Sequence, residues 1–100
     1  MKFFLDKKVN QNIKVLMNRI GYHQHHDRRS NKVSYIRRLG SLNYPRFHVY
    51  IDQHADRVCF NVHLDEKKPS YGVGHRHSGQ YDTELVGKEV TRIKSFLSNL

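Results

Sequence analysis

Arg46-Phe47-His48-Val49-Tyr50-Ile51-Asp52 and Val58-Cys59-Phe60-Asn61-Val62-His63-Leu64-Asp65 decide the fold of this 100-residue chain. Phe47, Val49 and Ile51 alternate with polar residues, and Val58, Phe60, Val62 and Leu64 do the same. Successive side chains of a strand point to opposite faces, so a period of two predicts two strands with one apolar and one polar face each. With Gln53 to Asp56 as the loop, Asp52 faces Arg57, Ile51 faces Val58, Val49 faces Phe60 and Phe47 faces Val62. Polarity agrees at every pair in that register, which predicts a hairpin.

Working outward, Val33 to Leu39 has strand-like content and Gly40 to Pro45 reads as a turn. Before them, Val9, Ile13, Leu16, Met17 and Ile20 recur at the spacing of one helical face, with Asp6 placed to cap the helix and Gly21 to end it. Tyr22 to Lys32 offers little to bury and is expected to be a surface loop. On the other side, Glu66 to Tyr81 carries Pro69, three glycines and two histidines without periodicity. Loops of that length are usually functional or disordered. Val86, Val90, Ile93, Leu97 and Leu100 then mark a second amphipathic helix starting near Asp82, with Glu84 in its first turn and Arg92 and Lys94 later, as the helix dipole favours.

These elements predict one α+β domain spanning residues 1–100: helix, three-stranded antiparallel sheet, helix, with both helices packed on one sheet face. The other face would show Arg46, His48, Tyr50, Asp52, Cys59, Asn61, His63 and Asp65. The strand at 33–39 adds either Arg38 with Ser34 and Ile36, or Arg37 with Tyr35. It is expected at the sheet edge, where a strand of another chain could pair with it.

The predicted order resembles that of double-stranded-RNA-binding domains, whose last helix opens with a lysine cluster that grips phosphates. Here the matching position reads Asp82-Thr83-Glu84, which repels phosphate and excludes that assignment.

Charge points to a partner class. Residues 1–46 hold eleven Lys and Arg against two acids, Asp6 and Asp27, whereas from Phe47 onward seven bases meet seven acids. So lopsided a distribution sets up a long-range field that attracts polyanions. Arg28, Arg29, Lys32, Arg37, Arg38 and Arg46 supply phosphate contacts, and His48 and Tyr50 supply planes for unpaired bases, so the expected function is non-catalytic nucleic-acid binding, with RNA favoured.

The alternative is metal chemistry. His63, Asp65, His75 and His77 are a candidate ligand set for zinc or another divalent transition metal, because neutral imidazole and carboxylate both suit such ions. With nucleic acid also bound, His63, His75 and His77 would make a metal-dependent nuclease. Against this, Thr83 to Ser98 offers no histidine and only Glu84 and Glu89, although compact nucleases built on a hairpin and a helix place a ligand on the helix. A third reading is an interaction module for an acidic protein, with no cofactor.

The chain has no phosphate-binding Gly-Lys-Ser/Thr loop and no dinucleotide fingerprint. A single cysteine, Cys59, excludes an internal disulfide and fits a reducing compartment. Phe3-Phe4-Leu5 is too short for a signal-peptide core or a membrane span. The expectation is a cytoplasmic protein without a membrane partner.

Overall fold

The computed structural model describes residues 1–66 and 79–100, the side chains of 79–82 excepted. The two alternating segments form neighbouring strands, β4 (Arg46–Gln53) and β5 (Val58–Asp65). Their register differs from the expected one: Gln53 pairs with Val58, Ile51 with Phe60, Val49 with Val62 and Phe47 with Leu64. The loop shifts to residues 54–57, closed by the His54 N–H donating to the Arg57 carbonyl at 2.8 Å. Partners slip by two residues, which preserves parity and leaves every side chain on its expected face.

The three-stranded sheet is overturned. Five antiparallel strands form one sheet in the order β1-β5-β4-β3-β2, where β1 is Lys2–Leu5, β2 is His23–Asp27 and β3 is Lys32–Arg38. Both added strands lack the pattern that marks a half-buried strand. β1 is only four residues long, held where the Phe3 ring lies parallel to Phe60 with centroids 4.8 Å apart. Burying a phenylalanine contributes about 1.5–3 kcal/mol, and the ring pair about 0.5–1.5 more.

β2 is exposed along its whole length, so nothing in its composition needs to alternate. Its turn defines it. Asp27 pairs with Lys32, its carboxylate accepts from the Arg29 N–H and the Ser30 hydroxyl at 3.0 Å each, and the Asn31 N–H returns to the Asp27 carbonyl at 2.8 Å. Asn31 takes φ 57°, the left-handed region that asparagine tolerates better than most residues. The Ser30 bond, with the Arg29 N–H, holds the Asp27 carboxyl below its ordinary pKa. The segment expected to be a loop is therefore a strand and a hairpin turn.

β3 lies between β2 and β4, so the edges are β1 and β2 and the expected pairing site at 33–39 is not an edge. A strand ahead of the first helix and another directly after it also remove the likeness in topology to double-stranded-RNA-binding domains.

The first helix, α1 (Ile13–Arg19), is shorter than its apolar repeat. Asn12, not Asp6, caps it, accepting from the Val15 N–H at 3.2 Å, and Val9 is buried ahead of the helix. Gly21 follows with φ 97° and turns the chain into β2. The second helix, α2 (Gly79–Leu97), begins before Asp82 and buries Val86, Val90, Ile93 and Leu97. These join Leu16 and Met17 of α1, Ile20 at its C-terminal cap, and Phe3, Tyr35, Phe47, Val49, Phe60 and Val62 of the sheet in one core. The strand residues in that core share one face, so both helices cover that face and leave the other open.

Glu89 of α2 is 4% exposed and gathers three side-chain partners on the helix side of the sheet. It accepts from Arg92 Nε and Nη2 at 2.8 Å each, from the Tyr22 hydroxyl at 2.6 Å and from Arg37 Nη1 at 3.5 Å. Burial pushes its carboxyl up, but the Arg92 and Tyr22 hydrogen bonds and the guanidinium charges outweigh that and leave it below its ordinary value. Tyr22 moves the other way, raised by burial and by its bond to Glu89. With Arg37 on the helix side, Ser34, Ile36 and Arg38 occupy the open face. No helix among the described residues is long and apolar enough to cross a membrane.

Candidate functional site on the open sheet face

Register assembles the open face from all five strands, β1 adding Lys2 opposite Asn61 and Phe4 opposite Cys59. His23 of β2 pairs with Ile36 of β3, Ile36 with His48 of β4, and His48 with His63 of β5, which makes a row across the sheet. On one side of that row Arg38 pairs with Arg46 and Arg46 with Asp65. On the other side are His25, Ser34, Tyr50 and Asn61, with His25 paired to Ser34 and Tyr50 to Asn61.

Four rings of this surface touch in sequence. His48 stacks on Tyr50 with centroids 4.6 Å apart and 30° between planes. His25 meets His48 edge-on at 6.2 Å, and His63 meets Tyr50 edge-on at 5.8 Å. Tyr50, 38% exposed, presents much of its surface to solvent.

His48 is fixed from both sides of its ring. Nδ1 lies 3.1 Å from Asp65 Oδ2 and Nε2 lies 2.7 Å from Ser34 Oγ. A carboxylate only accepts, so Nδ1 carries the hydrogen and donates to Asp65, while Nε2 accepts from the Ser34 hydroxyl. Burial lowers the His48 pKa, against the raising influence of Asp65, and so favours the neutral ring, the form in which Nε2 accepts from Ser34. Burial also lowers His63. Arg46 Nε donates to the same Asp65 oxygen at 3.3 Å, and its guanidinium carbon sits 4.4 Å from the Tyr44 ring centroid.

Ser34, His48 and Asp65 follow the order of partners that activates a serine nucleophile. The surroundings do not suit attack. Ser34 is 2% exposed, so its hydroxyl is closed off from a substrate. The chain of bonds locks the tautomer and plane of His48, and through it the ring that carries Tyr50.

The eleven cations of residues 1–46 divide into four groups, Lys2 standing apart on β1, where it pairs with Asn61 of the open face. Arg28 and Arg29 lie on the β2–β3 turn, and Lys32 opens β3 on the same face. Arg38 and Arg46 lie at the other end of β3, about 20 Å away at roughly 3.3 Å per residue. Arg37 is on the helix side with Glu89, and Lys7, Lys8, Lys14 and Arg19 belong to α1 and the segment before it, away from the open face. Arg38 is exposed and in no ion pair among the described residues.

Of the expected metal ligands, Asp65 is engaged by His48 and Arg46, His63 packs against Tyr50, and His75 and His77 lie outside the described residues. Among the described residues no three His, Cys, Asp or Glu side chains are grouped to hold an ion. His23 and His25, expected in a loop, are part of the face. Their spacing of two was the signal, hidden because neither side of β2 is apolar.

A depression of about 310 Å³ opens over Ile36, lined also by His23, His25, Arg38 and Arg46. A larger one of about 520 Å³ lies beside the start of α1, with Lys14 as its single cation. Comparisons with protein-family models, curated proteins and solved structures return no match for this chain.

Proposed function

We propose that this protein binds single-stranded nucleic acid, RNA in particular, on the open face of its sheet and without catalysis. One arrangement carries this reading: a continuous set of rings, His25, His48, Tyr50 and His63, lies between two cationic ends. Bases stack on such planes whatever their identity, and guanidinium and ammonium groups hold the phosphates on either side. Arg28, Arg29 and Lys32 serve one end, Arg38 and Arg46 the other. RNA is favoured because splayed, unpaired bases are the usual target of RNA-binding sheets. The fixed His48 ring supports the same reading, since a platform already held in place loses less freedom on binding.

The test is the affinity for a labelled unpaired RNA oligonucleotide, measured by fluorescence anisotropy between about 50 and 200 mM salt. Each phosphate neutralised on a single strand contributes about 0.7 to the slope of log affinity against log salt. Steep weakening is expected. Absent binding at low salt, or an affinity that ignores salt, overturns the reading.

A further inference from the structure

The depression over Ile36 has a composition that generic strand binding does not require. Its floor is apolar: Ile36 is 9% exposed and shorter than the imidazole and guanidinium side chains around it, so their reach creates the concavity. Its rim is cationic or hydrogen-bonding on all sides, with Arg38 paired to Arg46 on adjacent strands and His23 paired to Ile36 on the other flank. Among the described residues no carboxylate lines it. Asp65, the nearest acid in that register, lies on β5 beyond Arg46 and is bound to it.

Inorganic phosphate alone would satisfy the guanidiniums and leave the Ile36 floor uncovered. An uncharged aromatic molecule would cover the floor and leave Arg38, which has no ion-pair partner among the described residues, without an anion. A nucleotide does both. About 310 Å³ is near the lower end of the roughly 300–1,000 Å³ typical of small-molecule sites, room for one nucleotide and not for a stretch of strand.

We infer that the depression over Ile36 is a subsite for a single nucleotide of the bound strand, its base resting on Ile36 between His23 and His25 and its phosphate held by Arg38 and Arg46. The inference rests on the single-strand reading above and adds to it a defined anchor point, beside the Tyr50 platform and distinct from it. Paired guanidiniums favour the planar, multidentate contacts that phosphate oxygens accept.

The experiment is an amide NMR titration of the whole protein with uridine and adenosine 5′-monophosphates, the corresponding nucleosides and inorganic phosphate. The monophosphates are expected to shift His23, Ile36 and Arg38, and to bind more tightly than nucleoside or phosphate alone. Arg38→Ala should weaken monophosphate binding roughly tenfold or more, the loss expected for charged hydrogen bonds, and Ile36→Phe should fill the floor and abolish it. If Ile36→Phe does not fold, the exposed Arg38 variant decides the matter. Shifts centred elsewhere, or a monophosphate affinity untouched by Arg38→Ala, overturn the subsite. RNA binding that persists while monophosphates fail to bind overturns the subsite and spares the strand-binding reading. Monophosphate binding without RNA binding does the reverse.

Discussion

The Tyr22 hydroxyl donates to Glu89 Oε2 at 2.6 Å, joining the start of β2 to the middle of α2 across 67 positions of sequence. Arg92 binds the same carboxylate and also donates to the Ile20 carbonyl at 2.8 Å, so the end of α1, the helix-facing side of β3 and α2 meet at one buried anion.

Removing the anion should cost more than removing one of its donors. Glu89→Ala leaves the buried Tyr22 hydroxyl without its acceptor and Arg92, 39% exposed, to solvent, and should destabilise by about 2–4 kcal/mol. Tyr22→Phe leaves Arg92 in place and should cost about 1.5–3 kcal/mol. Urea unfolding midpoints at constant m-value give the ranking, and the reverse order would show that Glu89 is not the hub.

Acid should weaken the fold in two stages. The folded His48 pKa lies below its ordinary value, so the unfolded chain takes up the proton first. That contribution is complete above about pH 6.5 and is lost as pH falls from there through the folded value. Glu89 is also depressed, and its contribution is complete above about pH 4.3 and lost as pH falls through its folded value. In urea unfolding across pH, His48→Gln should shrink the upper stage and Glu89→Gln the lower. Stability that stays level between about pH 7 and pH 5 would contradict a neutral, half-buried His48.

Three variants separate stacking, phosphate contact and architecture. Tyr50→Ala should weaken RNA binding by about 1–3 kcal/mol while leaving the salt slope unchanged. Arg38→Ala should weaken binding and flatten the slope by about 0.7. Arg37→Ala, on the helix side, should leave the slope alone and lower stability instead. Anisotropy titrations at several salt concentrations resolve all three, and a slope change at Arg37 would displace the site from the open face.

Gly21 is irreplaceable for a conformational reason. At φ 97° an added Cβ would be strained, and it would meet Arg37 Nε at 3.4 Å. Gly21→Ala should cost about 1–2 kcal/mol. Gly40→Ala, where a Cβ meets nothing within 4 Å, should stay within about 0.5 kcal/mol. Equal melting temperatures for the two variants would refute the distinction.

Legibility followed burial. β4, β5 and the buried face of α2 are readable because each has one side in the core, and a core-facing side imposes a period on the sequence. The hairpin register was misread by two residues because Ile51, Val49 and Phe47 find apolar partners in either alignment, and only the turn at 54–57 chooses between them. β1 is too short to show a period, and β2 has no buried side to create one. At the candidate site Arg46, His48 and Tyr50 were identifiable from β4 alone, whereas His23 and His25 became part of it only through pairing with β3.

Local periodicity in the sequence alone determined which residues of the central hairpin face the core, where the second helix runs and that cations crowd the first 46 positions. Tertiary structure decided which cations share a surface. Arg37 and Arg38 are neighbours in sequence with equal charge, and a strand must send them to opposite sides, but Arg37 takes the helix side because Tyr35, two residues earlier on the same face, is buried in the core. Contacts between residues far apart in the chain carry that information, because the face of β3 is fixed by burying Tyr35 against distant parts of the core and by nothing local to Arg37 or Arg38.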